Sequence, residues 1–109
     1  ALFRDRVAGY PRQTKYKDLA GMLADVAVPL TLRQEAAEKA KTVADKRVVP
    51  FIVDVLYSPD EDTRGMAIDV VKSLTGKNFS YRADAPDDKR TKAIQKLLAH
   101  VQKNARDFR

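Results

Sequence analysis

The sequence predicts an all-α protein, on three observations. The 109-residue chain holds only 4 glycines and 5 prolines, and alternation of the kind found in strands is rare. Apolar residues recur instead at spacings of three and four, as on one buried face of a helix. Two segments, at Thr31–Gln34 and Ser58–Glu61, match the capping-box pattern that begins many helices. With 44% apolar residues, the chain has enough core for one small domain.

The first part of the chain carries the weakest signals. Residues 1–13 are assigned to an N-terminal extension, in which Ala1–Ala8 can form a helical turn or two. Gly9-Tyr10-Pro11 is expected to end that turn. The first full helix is predicted from Lys15 to Ala27, with Thr14 as its N-cap. Its buried stripe is expected to contain Leu19, Met22, Leu23 and Val26.

The second helix follows Pro29, which breaks the preceding run. Thr31 is its predicted N-cap and Leu30 its hydrophobic staple, and the helix is expected to end near Asp45. The predicted inward stripe is Leu32, Ala36, Ala40 and Val43, with Ala37 and Ala44 beside it. Arg33, Glu38, Lys41 and Thr42 are expected to face elsewhere.

The third segment, Val48 to Tyr57, is apolar nearly all round and is predicted to be the most buried helix. Pro50 is compatible with a helix because it lies in the first turn, although the valines also allow a strand. The fourth helix is predicted from a cap at Ser58 to Leu74, closed by Gly76. Its predicted inward residues are Thr63, Ala67, Val70, Val71 and Leu74.

The last part of the chain reads as a loop followed by one helix. The loop is expected to be held down by Phe79 and Tyr81, and the helix to run from near Pro86 to Lys103. Acidic residues at its start favour the positive end of the helix dipole. The side chains predicted to be buried are Ala93, Ile94, Leu97, Leu98 and Val101.

The second and fourth helices share a pattern at an offset of 31 residues, since Leu32-Arg33 matches Thr63-Arg64. A period near 30 built from helix pairs is typical of an α-solenoid. The chain is therefore predicted to be one domain of two antiparallel helix pairs plus a C-terminal capping helix. Residues 14–46 form the first repeat, 47–76 the second, and 77–109 the loop and cap.

The stretch Asp45–Leu56, followed by Asp60–Arg64 and Ala67–Leu74, resembles the short bacterial HEAT-like repeat first associated with phycobilisome lyases. Val-Pro in the first helix and arginine opening the second are the marks of that repeat. The resemblance covers about residues 15–101 and implies a HEAT-like or armadillo-type fold, in which the arginine commonly braces adjacent repeats. It implies no single function, because such repeats serve many roles.

The sequence offers no arrangement of residues for catalysis. It has no cysteine and one histidine, His100, whereas catalysis and metal binding need several convergent groups. The acidic run Asp60-Glu61-Asp62 lacks the glycine and distal glutamate of a calcium loop. We therefore expect no enzyme, no metal and no cofactor. A lyase or isomerase role by analogy with the phycobilisome enzymes ranks third among the functions considered.

The charge pattern points to a binding function. The net charge is +6, divided into +4 for residues 1–47, −3 for 48–75 and +5 for 76–109. The pattern is compatible with ordinary solubility charge or with a patterned contact surface. On the second interpretation we predict a protein–protein interaction module, acting as an adaptor, assembly factor or small subunit of a larger complex with an acidic surface. Nucleic-acid binding by a basic face is the alternative. The predicted partner-binding residues are Arg33, Lys41, Arg64, Lys72, Lys89, Arg90 and Lys96.

No apolar run approaches the roughly 20 residues that span a bilayer, so no membrane span is predicted. Homo-oligomers are compatible with the sequence. The chain starts at Ala1 rather than methionine, as a fragment or a mature form would. The compartment stays open between the cytoplasm and, after removal of an export signal, the periplasm.

Overall fold

A computed structural model describes the backbone of residues 10–109 and the side chains of residues 15–109. Within this range the protein is all-helical and contains no strand, so the predicted all-α class is confirmed. The prediction for Ala1–Ala8 lies outside the described residues. The α-helices are α1 (Tyr10–Ala24), α2 (Leu30–Val43), α3 (Val49–Ile52), α4 (Glu61–Thr75) and α5 (Asp87–Lys103), with 3-10 segments at Lys46–Val48, Val53–Tyr57 and Ala105–Phe108.

The first helix begins earlier than predicted. It starts at Tyr10, so Thr14 lies within the helix and the predicted N-cap there is wrong. The predicted break at Gly9-Tyr10-Pro11 includes Gly9, which lies outside the described residues. Pro11 lies in the first turn, where its missing N–H has no intrahelical partner to lose. The helix ends at Ala24, and Val26 is 63% exposed rather than buried.

The start of α2 also differs from the predicted capping box. The helix begins at Leu30 after Pro29, whose φ of −53° and ψ of 140° direct the chain into the helix, and no side chain caps it. Thr31 therefore lies within the first turn. At the other end Ala44 adopts the left-handed conformation and donates its N–H to the Ala40 carbonyl, which ends the helix near the predicted place.

The buried face of α2 is rotated by about one residue from the predicted stripe. Arg33 lies inside with Ala37 and Ala40, whereas Leu32 and Val43 are 46% and 60% exposed. The expectation that Arg33 faces outward is thus wrong. The observed stripe combines small residues, which allow close helix packing, with an arginine whose hydrogen-bond partners lie on other elements.

Residues 46–57 are helical, and the strand alternative is wrong. The segment is wound as a short α-helix between two 3-10 turns, with Pro50 in the first turn of α3. Apolar side chains point in almost every direction from it, so it forms the centre of the core. Its buried residues are Val48, Val49, Ile52, Val53, Val55 and Leu56.

Helix α4 follows the prediction closely except at its cap. Asp60, not Ser58, is the N-cap, and its carboxylate accepts the Thr63 backbone N–H at 2.9 Å. Ser58 instead accepts the Asp60 N–H at 3.1 Å in the preceding turn. Gly76 closes the helix with φ of 80°, as predicted. All five residues predicted to face inward are buried.

The loop before α5 runs back along the core. Tyr81 is buried and its hydroxyl donates to the Leu56 carbonyl at 2.6 Å, as expected of a residue that holds the loop down. In α5 the residues Ala93, Ile94 and Leu97 are buried as predicted, but Leu98 is 39% exposed. The final 3-10 segment buries Phe108 and packs against Lys46–Val48.

Contacts between the ends of the helices fix their directions. The side chain of Arg33 reaches Thr63 near the start of α4, and Lys41 reaches Asp69 further along, so α2 and α4 run side by side in the same direction. Arg64 reaches Ala83, shortly before α5. The starts of α2, α4 and α5 therefore lie near one another at one edge of the molecule.

Candidate interaction surfaces

The arginine that opens α2 is an internal brace. Arg33 is 6% exposed. Its Nε donates to the Val28 carbonyl at 3.0 Å, and its Nη1 donates to the Thr63 hydroxyl oxygen at 2.9 Å. Thr63 in turn donates its hydroxyl to Asp60 at 2.7 Å. These bonds join the turn before α2 to the start of α4.

Arg64 makes the corresponding connection one helix further on. It is 8% exposed, and its Nε and Nη2 both donate to the Ala83 carbonyl, at 3.0 and 2.8 Å. Its Nη1 donates to the Ser58 carbonyl at 2.9 Å. The hydrogen bonds from Thr63 hold the pKa of Asp60 below its usual range, and the nearby positive charges of Arg33 and Arg64 add to that effect.

Arg90 repeats the motif in α5. Its side chain is 14% exposed, its Nε donates to the Ala85 carbonyl at 3.0 Å, and its guanidinium contacts Asp87. Arg33, Arg64 and Arg90 each occupy the fourth residue of a helix and reach back to a carbonyl in the preceding turn. The structure thus gives three of the predicted partner-binding residues internal partners.

Lys72 lines a groove between α2 and α4, and Lys41 contacts two carboxylates that line the same groove. The Lys41 ammonium lies 2.6 Å from Asp69 and 2.7 Å from Glu38, and hydrogen bonds to these carboxylates raise its pKa. Its charge is therefore balanced within the protein. Lys72 is exposed. The groove has a volume of about 610 Å³ and is lined by Gln34, Ala37, Glu38, Gly65, Met66, Ile68, Asp69, Lys72, Asn78 and Tyr81.

The remaining predicted residues, Lys89 and Lys96, are exposed on α5 and do not line that groove. At 100° per residue they share one face of the helix with two further exposed lysines, Lys92 and Lys103. We call these four residues the lysine stripe. The structure thus separates the predicted surface into a groove lined by Lys72 and a basic face of α5.

Two features of these surfaces were missed by the sequence reasoning. Arg47 holds Asp45 through two hydrogen bonds of 2.8 and 2.7 Å, and Tyr16 donates its hydroxyl to the same carboxylate. The bonds from Arg47, chiefly, hold the pKa of Asp45 well below its usual range. Gly65, the fifth residue of α4, lines the groove, and a Cβ there would meet only the Ala83 Cβ at 4.0 Å.

His100 lies between two aromatic rings rather than among ligands. Its ring centroid is 5.1 Å from that of Phe79 and 5.8 Å from that of Phe108. Within the described part of the chain, no three His, Asp or Glu side chains come together as metal ligands. Among residues 10–109, no helix is long and apolar enough to cross a bilayer.

Comparisons of the chain with protein families, characterised proteins and solved structures gave no match.

Proposed function

We propose that this protein is a HEAT-like interaction module that binds another protein in the groove between α2 and α4. The observation that carries the proposal is the groove itself. Helices α2 and α4, which run in the same direction, border about 610 Å³ of open space that is lined by both polar and apolar side chains. A few polar groups around apolar surface are what a binding site needs for orientation and affinity.

The repeated arginine supports the HEAT-like arrangement. Helices α2, α4 and α5 each carry an arginine at the fourth residue that bonds to the preceding turn. Arg33 and Arg64 also bond to the next unit along the chain. On this interpretation residues 77–86 replace the first helix of a third unit. The polar outer face of α5 then serves as the cap that a short solenoid requires.

Gly65 supports the position of the site. Glycine within a helix costs about 1 kcal/mol relative to alanine, and no neighbouring atom requires its small size. A bare backbone in the wall of the groove lets a partner approach closely. The unpaired positive charge nearby comes from Lys72, since Lys41 is already balanced by two carboxylates.

The lysine stripe favours a second candidate, binding to nucleic acid. Four lysines on one helix face can contact successive phosphates. No aromatic residue lies among them in the sequence of α5 to stack on bases. The same stripe would also steer an acidic protein toward the module.

The test separates the two candidates. Chains that co-purify with the protein from its natural source are identified by mass, purified and titrated against the wild type. We expect Gly65→Ala and Lys72→Glu to weaken that binding about tenfold or more, which is a modest loss for a central contact. The matched control is Lys17→Glu, an exposed lysine on α1 outside the groove.

Fluorescence anisotropy with duplex and single-stranded nucleic acid at physiological salt tests the nucleic-acid candidate. Non-specific affinities there are roughly 10⁻⁴ to 10⁻⁶ M. Much tighter binding, lost in a Lys89→Glu/Lys96→Glu variant but kept in Lys17→Glu, would overturn the protein-partner proposal. Arg90 is left unchanged in these variants because its side chain is largely buried.

A further inference from the structure

The hairpin of α1 and α2 exposes apolar side chains at its turn. Six large apolar side chains of the described residues are exposed, and three of them lie here: Val26 at 63%, Leu30 at 36% and Leu32 at 46%. The segment from Asp25 to Leu32 has one charged residue, Asp25. We call the three exposed side chains the apolar turn. They lie within seven residues of sequence at one end of the hairpin, and exposed apolar residues that lie near one another mark contact surfaces.

This turn has a fixed conformation. The Val28 N–H donates to the Asp25 carbonyl at 3.0 Å, and the Ala27 N–H donates to the Asp25 carboxylate at 2.9 Å. Arg33 adds its bond to the Val28 carbonyl. Because the backbone is already ordered, a partner binding here would meet little of the entropy cost of ordering a loop.

The other end of the same hairpin has a groove of about 250 Å³, which we call the hairpin groove. It lies between the first half of α1 and the second half of α2, and Val43 is 60% exposed beside it. Lys15 and Lys39 are exposed at its rim. Its other lining residues are Tyr16, Leu19, Ala36, Ala40, Asp45 and Val48.

We propose that the apolar turn of one copy docks into the hairpin groove of a second copy of this chain. The chemistry of the two patches is complementary. Apolar side chains would enter a groove with a mainly apolar lining, and the carboxylate of Asp25 would face the ammonium groups of Lys15 and Lys39. Glu61 and Asp62 add negative charge near the turn, because Arg33 joins that turn to the start of α4.

The contact joins two different patches. Leu30 and Val43 are 13 residues apart on one helix, a separation of about 20 Å. A contact between unlike patches either closes into a symmetric assembly or continues as an open chain. If one variant loses its apolar turn and another loses its hairpin groove, the turn of the second can therefore still bind the groove of the first, and no other contact remains.

Analytical ultracentrifugation of the full 109-residue chain, from about 10 µM to roughly 1 mM, tests this weak association. The turn variant, Val26→Ser/Leu32→Ser, keeps the groove, and the groove variant, Val43→Glu, keeps the turn. We expect each to stay monomeric where the wild type associates, and an equal mixture to form dimers and nothing larger. Leu98→Ser, a change at an exposed leucine of α5, is the control and should associate as the wild type does.

Every other outcome overturns the proposal. A wild type that stays monomeric to 1 mM shows that a second copy does not fill the groove. Association that survives in either variant alone places the interface elsewhere. A mixture that fails to pair, with both variants folded by circular dichroism, removes the contact between turn and groove. Folding should be kept because all the substituted side chains are partly or largely exposed.

Discussion

Replacing Arg64 by methionine keeps a long stem in the same space and removes the guanidinium. The wild-type side chain is 8% exposed and makes three hydrogen bonds to two carbonyls, those of Ser58 and Ala83. Losing the charged donor leaves both carbonyls without this partner. Each unpaired carbonyl should cost about 1 to 2 kcal/mol, so we expect the free energy of unfolding to fall by about 2 to 4 kcal/mol.

Such a loss is large for this protein. A domain of this length has a free energy of unfolding of about 5 to 15 kcal/mol. At about 4 °C per kcal/mol, the midpoint of thermal unfolding should fall by roughly 10 °C. Urea unfolding followed by circular dichroism gives the free energy of unfolding. An unchanged m-value would show that the variant and the wild type expose the same surface on unfolding, so that their free energies can be compared.

Arg82→Met is the control for Arg64→Met. The Arg82 side chain is 74% exposed and its ion pair with Asp84, at 3.1 Å, lies on the surface. Removing it should change stability by less than about 0.5 kcal/mol. Arg64 would not be the brace that its hydrogen bonds indicate if the two methionine variants had the same midpoint of thermal unfolding. The same would follow if Arg64→Met lowered the free energy of unfolding by less than about 1 kcal/mol.

Three further predictions concern the core, two glycines and pH. Val71→Asp should unfold the protein, because an unpaired charge would replace a fully buried side chain. Lys41→Ala should change the urea midpoint little, and a Lys41→Ala variant less stable than Val71→Asp would contradict the assigned faces. Gly65→Ala should raise stability by up to about 1 kcal/mol in urea unfolding, whereas Gly76→Ala should lower it, because φ there is 80°. The folded-state pKa of Asp45 is lowered, so its carboxylate stabilises the fold above its unfolded pKa of about 3.9 and that contribution is lost as pH falls below it. The difference in urea midpoint between the wild type and Asp45→Asn should therefore become smaller from neutral to acidic pH. A difference that does not change with pH would contradict the assignment.

The sequence was most informative where one stripe of apolar residues was unambiguous. In α4 the inward residues and the closing Gly76 are as predicted, because period, cap and glycine all agree. In α2 the stripe that contains Leu32 and Val43 is more apolar than the stripe that is buried, which contains Arg33. The choice between them depends on Arg33, whose partner Thr63 lies 30 residues away. No local pattern shows that distant hydroxyl.

The candidate site was predicted less well than the fold. Spacing identified the arginines at equivalent helix positions, but charge alone could not show that their acceptors are carbonyls inside the protein. It also could not show that Lys41 is balanced by Asp69 on the neighbouring helix. Exposed residues such as Lys72 and Lys96 depend less on such distant partners, and their predicted exposure agrees with the structure.

The arginine braces bear on how freely this sequence can diverge. Arg33, Arg64 and Arg90 bond mainly to backbone carbonyls, and every residue type supplies a carbonyl. The turns before α2, α4 and α5 can therefore change their side chains over evolutionary time while the arginines keep these hydrogen bonds. Exchange of the arginines would be tolerated far less, since lysine lacks the planar fork that reaches two acceptors. A protein built in this way can keep its architecture while most of its turn sequences become unrecognisable.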